Sequence, residues 1–179
     1  MRLMPKSRLK TCKGFTLIEL LISIAILGIL ATIGMSTFRN SQMRSRDVQR
    51  KANLKQVANA LELYYSDYGK YPDAGSGEIK ACNDGISLCD WGEGEFTDGK
   101  TVYFKKLPKD PTPGLNYFYK LVADSSNQKY QLFARLENSQ DQDCIDENCD
   151  PESESGFPPA CGEETCNFAI TSSNTSTSE

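Results

Sequence analysis

The sequence predicts an α+β protein: a long N-terminal helix, first transmembrane in character and then amphipathic, packed against a small antiparallel sheet, with a disulfide-rich C-terminal region. Three observations carry this expectation. A long apolar run follows a short basic stretch, no proline interrupts the chain between Arg8 and Tyr71, and six of the seven cysteines lie at or beyond Cys82.

With 179 residues, 39% hydrophobic and 25% charged, the chain suits one modest globular domain plus an appendage. Charge is segregated along it. Residues 1–14 carry Arg2, Lys6, Arg8, Lys10 and Lys13 and no acidic residue, whereas residues 56–179 hold nine basic and 22 acidic side chains. An acidic head disfavours direct nucleic-acid binding, because neutralising phosphates needs clustered Lys and Arg. Histidine is absent, which removes the usual general base and the commonest neutral metal ligand.

From Phe15 to Met35 the sequence is FTLIELLISIAILGILATIGM, 21 residues with one charge, Glu19. A helix of that length, at ~1.5 Å per residue, spans a ~30 Å hydrocarbon layer. The basic leader places the N-terminus in the cytoplasm and the head outside, although Arg39, Arg44 and Arg46 beyond the span weaken the asymmetry. A secretory signal peptide would have a shorter apolar core followed by a small-residue cut site. Leu9-Lys10-Thr11-Cys12 loosely imitates a lipoprotein signal, but there the apolar stretch precedes the cysteine and here it follows.

A generic anchor does not explain Glu19, since a carboxylate near the bilayer centre costs ~2.5 to 3.5 kcal/mol even on insertion scales. No Lys, Arg or His lies between Phe15 and Phe38, so a positive partner must come from a chain terminus or another molecule. The run Lys13-Gly14-Phe15-Thr16-Leu17-Ile18-Glu19 resembles the prepilin cleavage motif of type IV pilins and type II secretion pseudopilins. The resemblance implies that a membrane aspartyl peptidase, the prepilin peptidase, cuts after Gly14 and methylates the new Phe15 amine. It also implies that Glu19 neutralises the terminal amine of a neighbouring subunit in the filament.

Beyond the span, Val48, Leu54, Val57, Ala58, Leu61, Tyr64, Tyr65 and Tyr68 recur at three- and four-residue steps, with Arg50, Lys51, Lys55, Asn59 and Glu62 between them. One helix is therefore expected from Phe15 to about Tyr68, roughly 80 Å long, with residues 15–38 as membrane or filament core and 39–69 as its amphipathic half. Gly28 and Gly34 are points of close packing or local melting in the apolar run. Gly69 and Tyr71-Pro72 should end the helix. Aromatic and β-branched runs at 101–106, 115–122 and 129–136 suggest strands of a head spanning 70–137. YYSDYGKYP (64–72) and Leu107-Pro108-Lys109-Asp110-Pro111 with Tyr117 and Tyr119 resemble segments of major type II pseudopilins. The resemblance covers about residues 13–72 and 107–137.

Cys12 belongs to the leader and leaves with it. Cys82, Cys89, Cys144, Cys149, Cys161 and Cys166 remain, on the side predicted to lie outside the cytoplasm, where disulfides persist. Six cysteines permit 15 pairings; closure of Cys82 with Cys89 is plausible, and the last four can pair in three ways. Zinc on Cys144-x4-Cys149 and Cys161-x4-Cys166 is the competing reading, and the compartment favours disulfides.

Within the Cys-rich acidic region 138–170, residues 141–154 hold seven carboxylates without EF-hand spacing, so a solvated loop is the simplest account. The pseudopilin resemblance implies calcium near Asn138, Asp141 and Asp143. No other cofactor is called for. Residues 171–179 read as a flexible Ser/Thr tail or glycan carrier, with a weak sequon at Asn174.

The expected function is structural: a subunit of a type IV pilus-like filament or type II secretion pseudopilus. Its expected partners are copies of itself, the prepilin peptidase, an inner-membrane assembly platform and minor pilins. The alternative is a minor pilin whose Cys-rich head acts as an adhesin or ligand-binding module. An enzyme is not expected: there is no histidine, no glycine-rich phosphate loop and no serine motif on a strand-turn-helix.

Overall fold

The structure is a computed structural model that describes residues 14–123, 125–146, 149 and 158–176. The leader through Lys13, with Cys12, lies outside the described residues, as do Glu147, Asp150, Glu152 and Glu154 of the acidic stretch. The chain divides into two units between Asn40 and Ser41. Helix α1 (Leu17–Tyr68) contributes to both, so the single long helix expected from the absence of proline is present. It ends at Gly69, whose φ of 67° is left-handed and whose N–H donates to the Tyr65 carbonyl at 2.7 Å. That bond satisfies one of the last helix carbonyls, and glycine adopts the conformation without a Cβ penalty.

The second unit holds eight short strands in two antiparallel sheets, where the sequence suggests one. The first sheet runs β1 (Asp73–Gly75), β2 (Glu78–Cys82), β4 (Phe96–Thr97), β5 (Val102–Phe104), with β3 (Ser87–Leu88) also pairing β2. The second runs β6 (Phe118–Leu121), β7 (Tyr130–Ala134), β8 (Phe168–Thr171). The three expected strands are β5, β6 and β7, each shorter than its sequence run. β7 is buried along its whole length because both of its faces are covered. Leu132 and Ala134 join Leu54, Val57, Ala58 and Leu61 of the helix in the main core, whereas Phe133 packs with Cys161 and Cys166 on the other side.

All six described cysteines are paired, Cys82 with Cys89, Cys144 with Cys149 and Cys161 with Cys166. Each bridge closes a loop with a sequence separation of seven or five. Loops this short stabilise by somewhat less than the ~3 kcal/mol of a 15-residue loop. The Cys161–Cys166 pair also acts as core, since both residues are fully buried.

Two sequence expectations are corrected. Thr171 belongs to β8, opposite Gln131, and Ser172 is buried with its N–H donating to the Tyr130 carbonyl at 3.1 Å. The Ser/Thr tail therefore starts later than residue 171, because backbone pairing to β7 orders polar residues that carry no apolar signal. On the helix, Val48 of the expected apolar stripe is 66% exposed and Tyr68 46% exposed, whereas Arg50, expected outside, is fully buried.

The burial of Arg50 has a clear physical basis. Its Nε and Nη2 donate to the two carboxylate oxygens of Asp110 at 2.8 and 2.9 Å, Nη1 reaches Asp47 at 2.8 Å and Glu137 at 2.9 Å, and Nη2 donates to Thr112 Oγ1 at 2.8 Å. Burial opposes the charge, and the bonds to Asp110, Glu137 and Asp47 overcome it, so the guanidinium stays ionised. Arg46 adds a bidentate pair to Glu137. Asp47 also accepts the Glu137 and Asn138 backbone N–H groups at 2.9 Å each.

Removing one partner of a buried ion network strands the others. Arg50→Ala should therefore lower the head's unfolding free energy by about 3–5 kcal/mol, read by chemical denaturation of the detergent-solubilised chain; a loss below about 1 kcal/mol would show that the network does not hold the head.

The same network sets an acid limit. The Arg46 bond, acting against burial, brings the Glu137 carboxyl down from its ordinary 4.5 to about 2. A depressed carboxyl contributes stability that is complete above its unfolded value and is lost as pH falls through the folded one. Unfolding midpoints should accordingly fall between about pH 5 and pH 2, and Glu137→Gln should flatten that part of the profile.

Candidate functional site

The candidate site is the start of α1 and the apolar segment behind it. Leu17, Ile18, Leu20, Leu21, Ile22, Ile24, Ile26, Leu27, Ile29 and Leu30 are each more than half exposed, and Phe15 is 80% exposed. An apolar surface on all sides of a helix suits burial in lipid or among other helices, not the edge of a water-soluble core. The segment is long and apolar enough to cross a membrane. Its hydroxyl groups are satisfied within the helix. Ser23 Oγ donates to the Glu19 carbonyl and Thr32 Oγ1 to the Ile29 carbonyl, both at 2.7 Å.

Thr16 and Glu19 close the N-terminus reciprocally. The Thr16 N–H donates to Glu19 Oε2 at 2.9 Å and the Thr16 hydroxyl to the same oxygen at 2.6 Å, while the Glu19 N–H donates to Thr16 Oγ1 at 3.3 Å. This is a capping box, in which two backbone donors left without helical partners are satisfied by side chains. It also puts a carboxylate in the first turn, where the positive end of the helix dipole favours it. Glu19 thereby turns Oε2 to the helix start, four residues after Phe15.

The sequence reading marks Gly14, Phe15 and Glu19 and misses the part of Thr16. The Thr-x-x-Glu spacing ahead of an apolar run was the available signal. Elsewhere, Asn138, Asp141 and Asp143 lie in the segment after β7. The Asn138 N–H donates to Asp47, and Asp141 and Asp143 both bind the Lys51 ammonium, at 2.6 and 2.7 Å. Among the described residues, no group of three or more His, Cys, Asp or Glu converges as a metal site.

Comparison with known proteins bears on the same segment. Residues 9–35 match the family described as "Prokaryotic N-terminal methylation motif". The chain is 44% identical over 61 residues to the type IV major pilin protein PilA of Myxococcus xanthus, covering 34% of this chain and 28% of that one. It is 30% identical over 98 residues to the type II secretion system core protein G of Aeromonas hydrophila, and 33% identical over 101 residues to that of Pseudomonas aeruginosa. Each of these two matches covers 55% of this chain and 66% of the relative. The matched part is thus under two thirds of these relatives' length. No solved structure matches the chain.

The chain thus joins a long helix that begins inside the match to the methylation motif to a head of two small antiparallel sheets. Over the matched parts the chain is similar both to type IV major pilins and to type II secretion core protein G.

The capping box yields a local test. Thr16→Ala should cost the helix start about 0.5–2 kcal/mol and speed amide exchange in the first turn of the micelle-bound chain, whereas Thr16→Ser should retain protection. Equal exchange in both variants would remove Thr16 from the cap.

Proposed function

We propose that the chain is a structural, non-enzymatic subunit of a type IV pilus-like filament or type II secretion pseudopilus. The observation that carries this reading is an apolar helix surface with one carboxylate in its first turn, lying inside a match to the N-terminal methylation motif. The prepilin peptidase hydrolyses the bond between Gly14 and Phe15, and the new Phe15 amine is methylated. Until assembly, the helix holds the subunit in the cytoplasmic membrane, with its N-terminus on the cytoplasmic side and its head outside. An assembly platform and minor pilins then feed it into the filament.

Assembly moves the helix from lipid to a bundle of its own copies, and both surroundings are apolar. Little hydrophobic free energy is gained in that transfer, so packing and polar pairing direct association. Glu19 supplies the polar pairing. Within the subunit its charge is met, among the described residues, by the Thr16 N–H and hydroxyl. In the filament the cationic Phe15 amine of a neighbour is a stronger partner, since it adds a full opposite charge whose Coulomb attraction to the carboxylate grows in a low-dielectric setting. Each added subunit brings one amine and one carboxylate, which fixes the axial register of the helices.

Electron microscopy and mass spectrometry of sheared surface or membrane filaments test the reading. Mature material should begin at a methylated Phe15, and Glu19→Ala should be cleaved normally yet give few or no filaments. Mature protein retaining Met1 would reject processing, and normal filaments from Glu19→Ala would reject the amine pairing.

A further inference from the structure

The resemblance to major pseudopilins brings with it a calcium ion near Asn138, Asp141 and Asp143, and the residues present do not fit one. Calcium takes about six to eight oxygen ligands at about 2.3–2.6 Å. Here one side-chain oxygen of each of the three is already engaged. Asp141 Oδ1 binds Lys51 Nζ at 2.6 Å and accepts the Asp143 N–H at 3.0 Å, and Asp143 Oδ2 binds the same ammonium at 2.7 Å. The Asn138 side-chain oxygen accepts the Gln140 N–H at 3.3 Å.

We infer that the Lys51 ammonium takes the cation's place, so that the loop after β7 is held to the helix by a charge carried within the chain and needs no divalent metal. Two further features support this assignment. Lys51 is three-quarters buried and its Nζ stands 5.5 Å from the centroid of the Phe168 ring in β8, so sheet packing sets its position independently of the two aspartates. It also lies one turn beyond Asp47, which accepts the Glu137 and Asn138 N–H groups. Residues 47, 50 and 51 share one helix face. Asp47 and Arg50 therefore fix the start of the segment and Lys51 its acidic continuation. Lower down, Asn167 Nδ2 donates to the Cys149 carbonyl at 2.8 Å and the Ile145 N–H donates to the Asn167 carbonyl at 2.8 Å, which ties the disulfide-closed end to the sheet.

A tethered ammonium differs from a bound ion in its response to the medium. Chelation cannot remove it, and its local concentration does not depend on the surroundings. This inference stands apart from the filament reading and survives or fails without it.

The test uses the full disulfide-intact chain in detergent micelles, with calcium chloride as the probe and EDTA as the chelator. Amide exchange over 138–146 and the heat-unfolding midpoint should be the same in both. Lys51→Gln should speed exchange in that segment by roughly two- to tenfold while leaving the β6 and β7 amides at wild-type rates, and Lys55→Gln, on an exposed position of the same helix, should change neither. Calcium raising the protection or midpoint of the wild-type chain would overturn the assignment, and that arm needs no substitution. Wild-type exchange in Lys51→Gln would overturn it as well.

Discussion

The buried guanidinium of Arg50 is the interaction on which the head depends. Taking a cation out of water costs several kcal/mol even after relaxation, and the cost is offset only when donors and acceptors match. Here the acceptors come from three places far apart in sequence: Asp47 on the helix, Asp110 and Thr112 before the second sheet, and Glu137 after β7. An apolar residue at position 50 would tolerate sliding of the helix against the sheets. A five-donor fork with fixed geometry does not, because a shift of one residue would take the guanidinium away from the buried carboxylates of Asp47 and Asp110. The ion network thus sets the helix register, and the apolar contacts of Leu54, Val57 and Leu61 fill in around it.

One helix works under two different rules. In the second unit its polar face is partly inside and its apolar face packs on two sheets. Over residues 17–32 of the first unit every side is apolar and the few polar groups are turned inward along the helix or closed in the Thr16–Glu19 cap. Both solutions follow from the same constraint, that a polar group away from water must have a partner. They differ in where the partner comes from. In the head it is another segment of the chain; at the N-terminus it is local, and that leaves the outer surface free for lipid or for other copies.

The sequence showed the features whose signal is local or periodic. Proline-free length, the left-handed Gly69 and the apolar run marked the helix to within two residues at its start and at its last residue, and aromatic runs marked β5, β6 and β7. What stayed hidden lacked such a signal. β1 to β4 are two to five residues long and lie among glycines and aspartates, too short for a period of two to emerge. β8 was hidden by its place beyond the acidic cysteine-rich stretch, since it is defined by a long-range ladder to β7. Arg50 and Lys51 look like a solvated helix face until the carboxylates that meet them, 60 to 92 positions away, are brought alongside. Of the assembly residues, Gly14, Phe15 and Glu19 were legible because a contiguous motif holds them. Thr16 stood in the same motif, but its role appears only as hydrogen-bond geometry.

The position of β8 explains why the C-terminal region needs its cysteines. The chain must leave β7 at Ala134, traverse an acidic stretch with little apolar residue to bury, and return in register at Phe168. Closing a long loop costs entropy that grows slowly with its length, so much of the cost lies in ordering the residues within it. Two short disulfides reduce that freedom in the unfolded chain as well as the folded one, and they do so locally, without having to find a distant partner. Cys161 and Cys166 then serve a second end, because their buried sulfurs cover Phe133 on the face of β7 away from the helix. Without that cover the central strand would expose one face. The bridges therefore do more than fasten an extension to a finished head: they complete the layer that lets β7 be central at all.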